Sequence, residues 1–493
     1  MLLCLLPGYA HATDGGGFDT ALAGRVYAAA LGFATPRTLD PTTAQSLTLW
    51  GLHGITTLDP TLTVGLQNGR LQLSGSGRLL FDRPAQPPDD AVGWGHAAAE
   101  LEAAATAQSP TLRAAGTQGL IQGFFDEMFN HLDPYSRYEP PMPAEAERTK
   151  LSLDAGAGLG LIVRDHFVVV GDLVPDGPGQ RAGVHVGDRI LSVDGRRPRG
   201  GQLDRVRGWL SGLEGTVLRL RVRGLDGAER TFPITLAYIP PETVFSERQG
   251  NLLLIRISSF TSNTAERLSE AIEAGLAASP PPAAIAVDLR GNRGGLLRQA
   301  VTSVALLADH GIIASTAGRD PEATHDWRID GGDLTHGLPV VILVDGRSAS
   351  AAEIMAAALA DLGRAVVVGS ATLGKGLVQT ITRLPDGGEL YVTWSRVIAP
   401  RGWPIQALGV IPQICTSTGF AHADAALNTL LAGRNDMQAA LSASRAARAP
   451  LTVSAVLDIR AACPAAEGRD SDLHVAHFLA DHPAAYRAAL LPG

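Results

Sequence analysis

Apolar and polar residues alternate singly through Leu62-Thr63-Val64-Gly65-Leu66-Gln67 and again through Arg70-Leu71-Gln72-Leu73, with Asn68-Gly69 between. A period of two puts every second side chain on one face, and Asn-Gly supplies the positive φ of a tight turn, so a β-hairpin is predicted. Helical periodicity follows near Trp94–Ala107 and Pro110–Leu132, while the proline-rich pieces Arg83–Asp90 and Glu139–Pro143 read as loops or linkers. From 150 to about 237 short Val/Ile/Leu/Arg strands are cut by Gly and Asp turns, with one helix near Leu203–Leu213. From about 250 to 400 strands and helices take turns. Leu252–Ile257, Ala284–Leu289, Pro339–Val344 and Ala365–Val368 are the predicted strands, and Asn263–Ala278, Leu296–Asp309 and Ala351–Leu362 the helices. That alternation predicts an α/β core with a largely parallel sheet, followed by an Ala- and Leu-rich helical tail.

Length and composition set the frame. The 493 residues suffice for several domains, each with its own core, and 45% hydrophobic with 18% charged residues describes a folded chain. The net charge of -8 has no basic stripe within it, which argues against a nucleic-acid partner. No apolar run reaches the roughly 20 residues of a membrane-spanning helix. The opening MLLCLLPGYAHA has a short apolar stretch and then Ala10-His11-Ala12, the pattern of a secretory signal remnant with its cleavage site. An extracytoplasmic, for instance periplasmic, protein is therefore expected. If Cys4 leaves with that signal, Cys415 and Cys463 remain, either as a bridge worth roughly 3–4 kcal/mol or as two buried thiols. No H-E-x-x-H and no Cys-x-x-Cys occurs, so neither a metal nor another cofactor is expected.

The candidate chemistry begins with lysine. Of 41 Lys and Arg residues only Lys150 and Lys375 are lysine. GC-rich codon preference accounts for most of that bias, and Lys150 reads as a solvated residue of a charged stretch. Lys375 stands between two glycines in Leu373-Gly374-Lys375-Gly376. Arginine keeps its proton in a protein, whereas a desolvated lysine can act as a base. The run Gly369-Ser370-Ala371-Thr372-Leu373-Gly374-Lys375 comes within one residue of a phosphate-binding loop. It fails because Gly376 replaces the Ser or Thr that holds magnesium and because the sequel has strand rather than helix texture.

A serine partner lies upstream, where the strand Pro339–Val344 enters Asp345-Gly346-Arg347-Ser348-Ala349-Ser350-Ala351-Ala352-Glu353. A serine at a strand-to-helix turn lies beside the unpaired N–H groups of the first helical turn, which suit a developing oxyanion. The plain structural reading is a capping box, Ser-x-x-Glu. That reading leaves Lys375 unexplained; a Ser–Lys dyad uses both residues. Asp288-Leu289-Arg290-Gly291-Asn292-Arg293-Gly294-Gly295 forms another strand-to-helix turn, whose glycines allow close backbone approach to a substrate.

In this order and spacing the residues resemble the S41 peptidases, the C-terminal processing (tail-specific) proteases. The resemblance spans most of residues 125–415. It includes Leu132-Asp133-Pro134-Tyr135-Ser136-Arg137-Tyr138, Asp288–Gly295, Ser348–Ile354, Gly374-Lys375-Gly376 with Gln379, and Gly409-Val410-Ile411-Pro412. It implies Ser350 as nucleophile, Lys375 as general base and Gln379 orienting the lysine. The amide of Ala351 and one from Gly294 or Gly295 would form the oxyanion hole. Four positions depart from the family's usual residues: Arg293, Ala352, Leu377 and Gln413. The segment 150–237 resembles the PDZ domain of these proteases. There Gly158-Leu159-Gly160-Leu161 would receive a peptide's terminal carboxylate, and Ala182–Ile190 and Val193-Asp194-Gly195 continue the pattern.

The expected organisation is a signal remnant at 1–12, a mostly helical region at 13–149 and a PDZ β-barrel-like domain at 150–237. A ClpP/crotonase-like α/β protease core at 238–415 and a helical region at 416–493 complete it. The implied function is a serine endopeptidase cleaving exported proteins near their C-termini, with protein or peptide substrates as partners. The alternative is a catalytically silent PDZ scaffold in which Ser350 only caps a helix.

Overall fold

The computed structural model describes residues 17–144, 155–174, 177–198, 202–238 and 242–492. The expected signal remnant and Lys150 lie outside the described residues. The described residues form two compact units, the first of residues 17–144, 318–323 and 378–395, the second of the other described residues.

In the first unit helices α1 (Thr20–Ala34), α2 (Ala44–Leu58), α3 (Ala91–Gln108) and α4 (Pro110–Asn130) start at Asp19, Thr43, Asp90 and Ser109. Each of these side chains accepts the N–H three residues on, filling one of the unpaired donors of a helix start. Tyr27, Trp94, Phe124 and Phe125 fill the core between them, Tyr27 stacking on Phe124 at 4.1 Å. The hairpin predicted at Asn68-Gly69 is present as β1 (Leu62–Gln67) and β2 (Arg70–Gly75), in register Gln67↔Arg70. A third antiparallel strand, β3 (Arg78–Pro84), joins β2 and takes in Arg83 and Pro84, which composition assigned to a linker. Pro84 ends that strand, where a missing N–H is tolerated. Residues 141–144 are likewise a helical turn rather than a loop. Strand β4 (Arg137–Glu139) pairs with Glu389–Tyr391, and Leu384, Leu390 and Val392 complete this core.

The second unit begins with the PDZ fold. Strands β5 (Ala155–Gly156), β6 (Leu159–Arg164) and β7 (Phe167–Leu173) precede the short helix α5 (Pro178–Arg181) and β8 (Arg189–Val193). Helix α6 (Leu203–Trp209), β9 (Val217–Arg223), β10 (Glu229–Thr235) and β11 (Ala237–Tyr238) follow. Five strands form an antiparallel sheet in the order β10-β9-β8-β7-β6, so β6 lies at its edge. Leu161, Val170, Ile190, Leu220 and Val222 face inward against Val206 of α6.

The α/β core follows the predicted alternation. Strands β12 (Val244–Gln249), β13 (Leu252–Ile257), β14 (Ala284–Asp288), β17 (Val340–Val344), β18 (Ala365–Gly369) and β21 (Ile414–Cys415) form one sheet. All neighbours run parallel except the β12–β13 hairpin. Every residue of β14, β17 and β18 is buried, because helices cover both faces of a parallel sheet. Helices α7 (Thr264–Leu276), α8 (Leu297–Ala305) and α9 (Ala351–Asp361) connect the strands. Four further strands escaped the periodicity reading: β12, β15 (His310–Ala317), β16 (His325–Asp330) and β20 (Glu389–Ile398), which follows β19 (Leu377–Arg383). The tail is helical: α10 (Phe420–Leu431), α11 (Gln438–Ala446), α12 (Val453–Arg460), α13 (Asp470–Asp481) and α14 (Pro483–Ala489). Leu427, Val475, Leu479 and Tyr486 of the tail bury one face of the sheet with Leu252, Val341 and Val366.

Candidate active site

Three loops leave the carboxyl ends of β14, β17 and β18, the edge of a parallel sheet where ligands are ordinarily bound. They carry the glycine turn, Ser350 and Lys375. Ser350 stands immediately before α9 with φ 56 and ψ -117, a backbone conformation that costs a non-glycine residue energy. An ordinary capping serine has an extended backbone, which Ser350 does not. Within the capping box the Ser350 N–H donates to Glu353 Oε2 at 2.8 Å.

Glu353 does more than cap. Its Oε2 also accepts the N–H of Lys375 at 2.8 Å, and its Oε1 accepts the N–H of Gly374 at 2.6 Å and the Thr372 hydroxyl. One fully buried carboxylate thus holds the serine turn and the lysine loop together. Burial raises the Glu353 pKa, with its four donors pulling the other way. A second tie runs from the Leu373 N–H to the Ser348 carbonyl at 3.0 Å. Behind the lysine loop the Thr372 hydroxyl also accepts the N–H of Val410, which explains the Gly409–Pro412 stretch. The glycines beside Lys375 are required by packing: a Cβ at Gly376 would lie 2.3 Å from the amide nitrogen of Gln406.

The glycine turn is as closely fitted. A Cβ at Gly294 would lie 2.8 Å from that of Ser350 and 3.0 Å from the Ala351 nitrogen. The Gly294 N–H donates to Asn292 Oδ1 at 2.8 Å. Asn292, fully buried, also donates to the Ile257 carbonyl, and its own carbonyl accepts the Ala349 N–H. The Ala351 amide adds the positive end of α9. Asp345, buried at the end of β17, accepts the N–H groups of Gly291, Arg347 and Ser348 and so ties the glycine turn to the serine turn.

The tail reaches these loops too. The Ala466 carbonyl accepts from the Gly346 N–H at 2.8 Å and the Ser370 hydroxyl at 2.9 Å, and the Gly468 N–H donates to Asp345. Arg290, paired with Asp288, also bonds the Arg469 carbonyl and Asp472. Cys415 and Cys463 are joined by a disulfide that anchors this stretch to β21.

Sequence reasoning named Ser350, Lys375, Ala351 and the glycine turn, and all lie on these loops. It did not assign roles to Asn292, Asp345, Thr372 or the full reach of Glu353. An aspartate at a strand end ahead of Gly-Arg-Ser was the one legible signal, that of a turn. Gln379 lies in the first unit, its amide Nε2 donating to Thr393 Oγ1 at 3.1 Å. Thr393 Oγ1 donates in turn to Asp133, which also accepts from Ser136, so the Leu132–Tyr138 stretch builds this network. Gln413, a departure from the family's usual residue, accepts from Val367 and donates to the Ala365 carbonyl, pairings an ionised aspartate could not both make. Gly158, with φ 69, and Leu159–Leu161 lie at the start of edge strand β6 of the PDZ sheet, where the Gly158 carbonyl accepts the Val174 N–H. Among the described residues no cluster of His, Cys, Asp and Glu could hold a metal ion, and no helix is long and apolar enough to cross a membrane.

Comparison with known proteins agrees with this picture. Residues 251–416 match peptidase family S41 and residues 169–224 a PDZ domain. The carboxy-terminal-processing protease of Bartonella bacilliformis is 32% identical over 307 residues, 60% of this chain and 69% of that one. The carboxy-terminal processing protease CtpA of Bacillus subtilis is 30% identical over 298 residues, covering 60% and 63%. A solved structure of the photosystem II D1 C-terminal processing protease aligns over 74% of this chain and 92% of that one. The identity is 26% and the TM-score 0.39, a value at which two structures need not share an arrangement. With the family pattern laid over these loops and a relative matched over most of its length, the chain belongs to peptidase family S41, the carboxy-terminal-processing serine proteases.

Proposed function

We propose that the chain cleaves polypeptides through a dyad of Ser350 and Lys375. The observation that carries the reading is the shared oxygen of Glu353. The amide nitrogens of Ser350 and Lys375 each lie 2.8 Å from it, so they stand no further apart than twice that distance. The Lys375 amine takes the hydroxyl proton of Ser350 as Oγ attacks the scissile carbonyl carbon. The N–H groups of Ala351 and Gly295 receive the oxyanion, and the lysine returns the proton to the leaving amine. Water then releases the acyl group with Lys375 again as base. Gln379, four residues along the chain, supports the amine. The substrate enters by its C-terminus: the terminal carboxylate meets the amides of Gly158–Leu161, and the peptide adds to the open edge of β6. The substrates are exported proteins and the setting is extracytoplasmic, a reading supported by the joined Cys415 and Cys463.

The test is proteolysis of reduced, carboxymethylated casein together with labelling by a serine-reactive probe. Ser350→Ala and Lys375→Ala abolish both at unchanged melting temperature. Lys375→Arg is also inactive, because a guanidinium keeps its proton and cannot serve as base. Appreciable turnover by Lys375→Arg would contradict the dyad, and a wild type that neither cleaves nor labels points to the silent scaffold.

A further inference from the structure

Strand β9 turns Leu218, Leu220 and Val222 into the PDZ core and Arg219, Arg221 and Arg223 to solvent. Neighbouring β8 sets Arg189 directly opposite Arg223. Glu229 on β10 is shared by Arg221 and Arg223, at 2.5 Å to each. Arg189, Arg197, Arg221, Arg223, Glu229 and Phe167 line a cavity of about 480 Å³. Four guanidinium groups thus face one carboxylate, in a chain whose net charge is -8. Arg189 lies over the Phe167 ring, and neither Arg189 nor Arg197 has a carboxylate partner among the described residues. Arg189 and Arg223, like charges directly opposite on paired strands, oppose the pairing of β8 with β9.

We propose that this face is a second recognition site of the PDZ domain, for an extended acidic segment of a protein with carboxylates at alternate positions. Arg221 and Arg223 are two residues apart on a strand, a repeat of roughly 6.8 Å. Alternate side chains of an extended peptide repeat at the same interval, so successive carboxylates meet successive guanidinium forks. The Phe167 ring and Pro198 give the pocket apolar walls beside its charges. A walled pocket with a strand's repeat favours a polypeptide over a lipid surface, which is flat. The site lies on β7 to β10, apart from the Gly158–Leu161 loop, and therefore reads an acidic stretch independently of a free C-terminus. Its use in choosing substrates rests on the protease reading; the binding itself does not.

The experiment uses full-length Ser350→Ala protein and a fluorescent Glu-Ser-Glu-Ser-Glu-Ser peptide, blocked at both ends so that no terminal carboxylate is present. Anisotropy at low salt reads the affinity. The alternating peptide is expected to bind at least tenfold tighter than its Gln-Ser counterpart and more tightly than Glu-Glu-Glu-Ser-Ser-Ser, with affinity falling as salt is added. Arg189→Gln with Arg221→Gln removes that preference at unchanged melting temperature. Arg197→Gln, which breaks no ion pair among the described residues, weakens binding and serves if the double variant is unstable. Equal affinity for the Glu and Gln peptides, or binding indifferent to these variants, overturns the proposal. So does co-sedimentation with phosphatidylglycerol vesicles that the variants abolish, in the absence of peptide binding. Cleavage assays on the wild type decide the protease reading separately.

Discussion

At residue scale Glu353 shows how one side chain takes on work its motif does not disclose. In sequence it is the last letter of a capping box; folded, it accepts four hydrogen bonds from two loops. Glu353→Ala leaves three backbone N–H groups buried without an acceptor. Unfolding free energy should fall by at least about 3 kcal/mol, given roughly 1.5–3 kcal/mol per bond to a charged group. Turnover should drop more than tenfold, because the turns carrying Ser350 and Lys375 lose their common anchor. Glu353→Gln keeps one acceptor oxygen and should fall between. Denaturant titration and kcat on the three proteins check the order; an alanine variant with wild-type kcat would refute the anchoring role. The positive φ of Ser350 teaches a similar lesson. Ser-x-x-Glu is equally good spelling for a cap and for an exposed nucleophile, and only the backbone conformation separates them.

At element scale, strands and helices of the α/β core were legible because burial on both sheet faces writes unbroken apolar runs. The strands at Val340–Val344 and Ala365–Gly369 are examples. Strand β12 was not, since four of its six residues are exposed. The tail was legible as helix but not as a brace. Ala466, Gly468 and Arg469 bond through their main chain, which leaves no trace in side-chain pattern. The disulfide closing 48 residues holds that stretch. Replacing both Cys415 and Cys463 by serine should lower stability by roughly 3–4 kcal/mol in the chain-entropy view. With the brace loosened, kcat should fall more than KM rises, since the loops bonded to it carry the proposed dyad. A reducing agent should reproduce the effect in the wild type and add nothing in the double variant. Equal kinetics with and without the bridge would show that the brace does not bear on catalysis.

At the scale of the whole molecule the first unit carries a pH dependence of its own. Glu102 is fully buried with the Tyr27 hydroxyl donating to it at 2.7 Å, and burial pushes its carboxyl up to about 8, the hydrogen bond opposing. In the unfolded chain the same group ionises near 4.5. The folded state therefore binds the extra proton, so its contribution to stability is full below that value and is lost as pH rises through about 8. Melting temperature should fall between pH 5 and 8.5, and Glu102→Gln should flatten the slope; a variant that melts in parallel with the wild type would assign the dependence elsewhere. By itself the sequence determined the α/β alternation, the PDZ segment and the residues on the reactive loops. The alternation follows from periodicity, and the PDZ segment and the candidate site residues from local motifs that resemble a known family. Which side chain takes the Gly294 amide, which carboxylate joins serine to lysine, and which tail residues brace them were decided only by the tertiary structure. Hydrogen bonds between segments far apart in the chain, 123 residues from Asp345 to Gly468 and 182 from Arg290 to Asp472, depend on where sheet and helices bring the chain, and no local pattern encodes that.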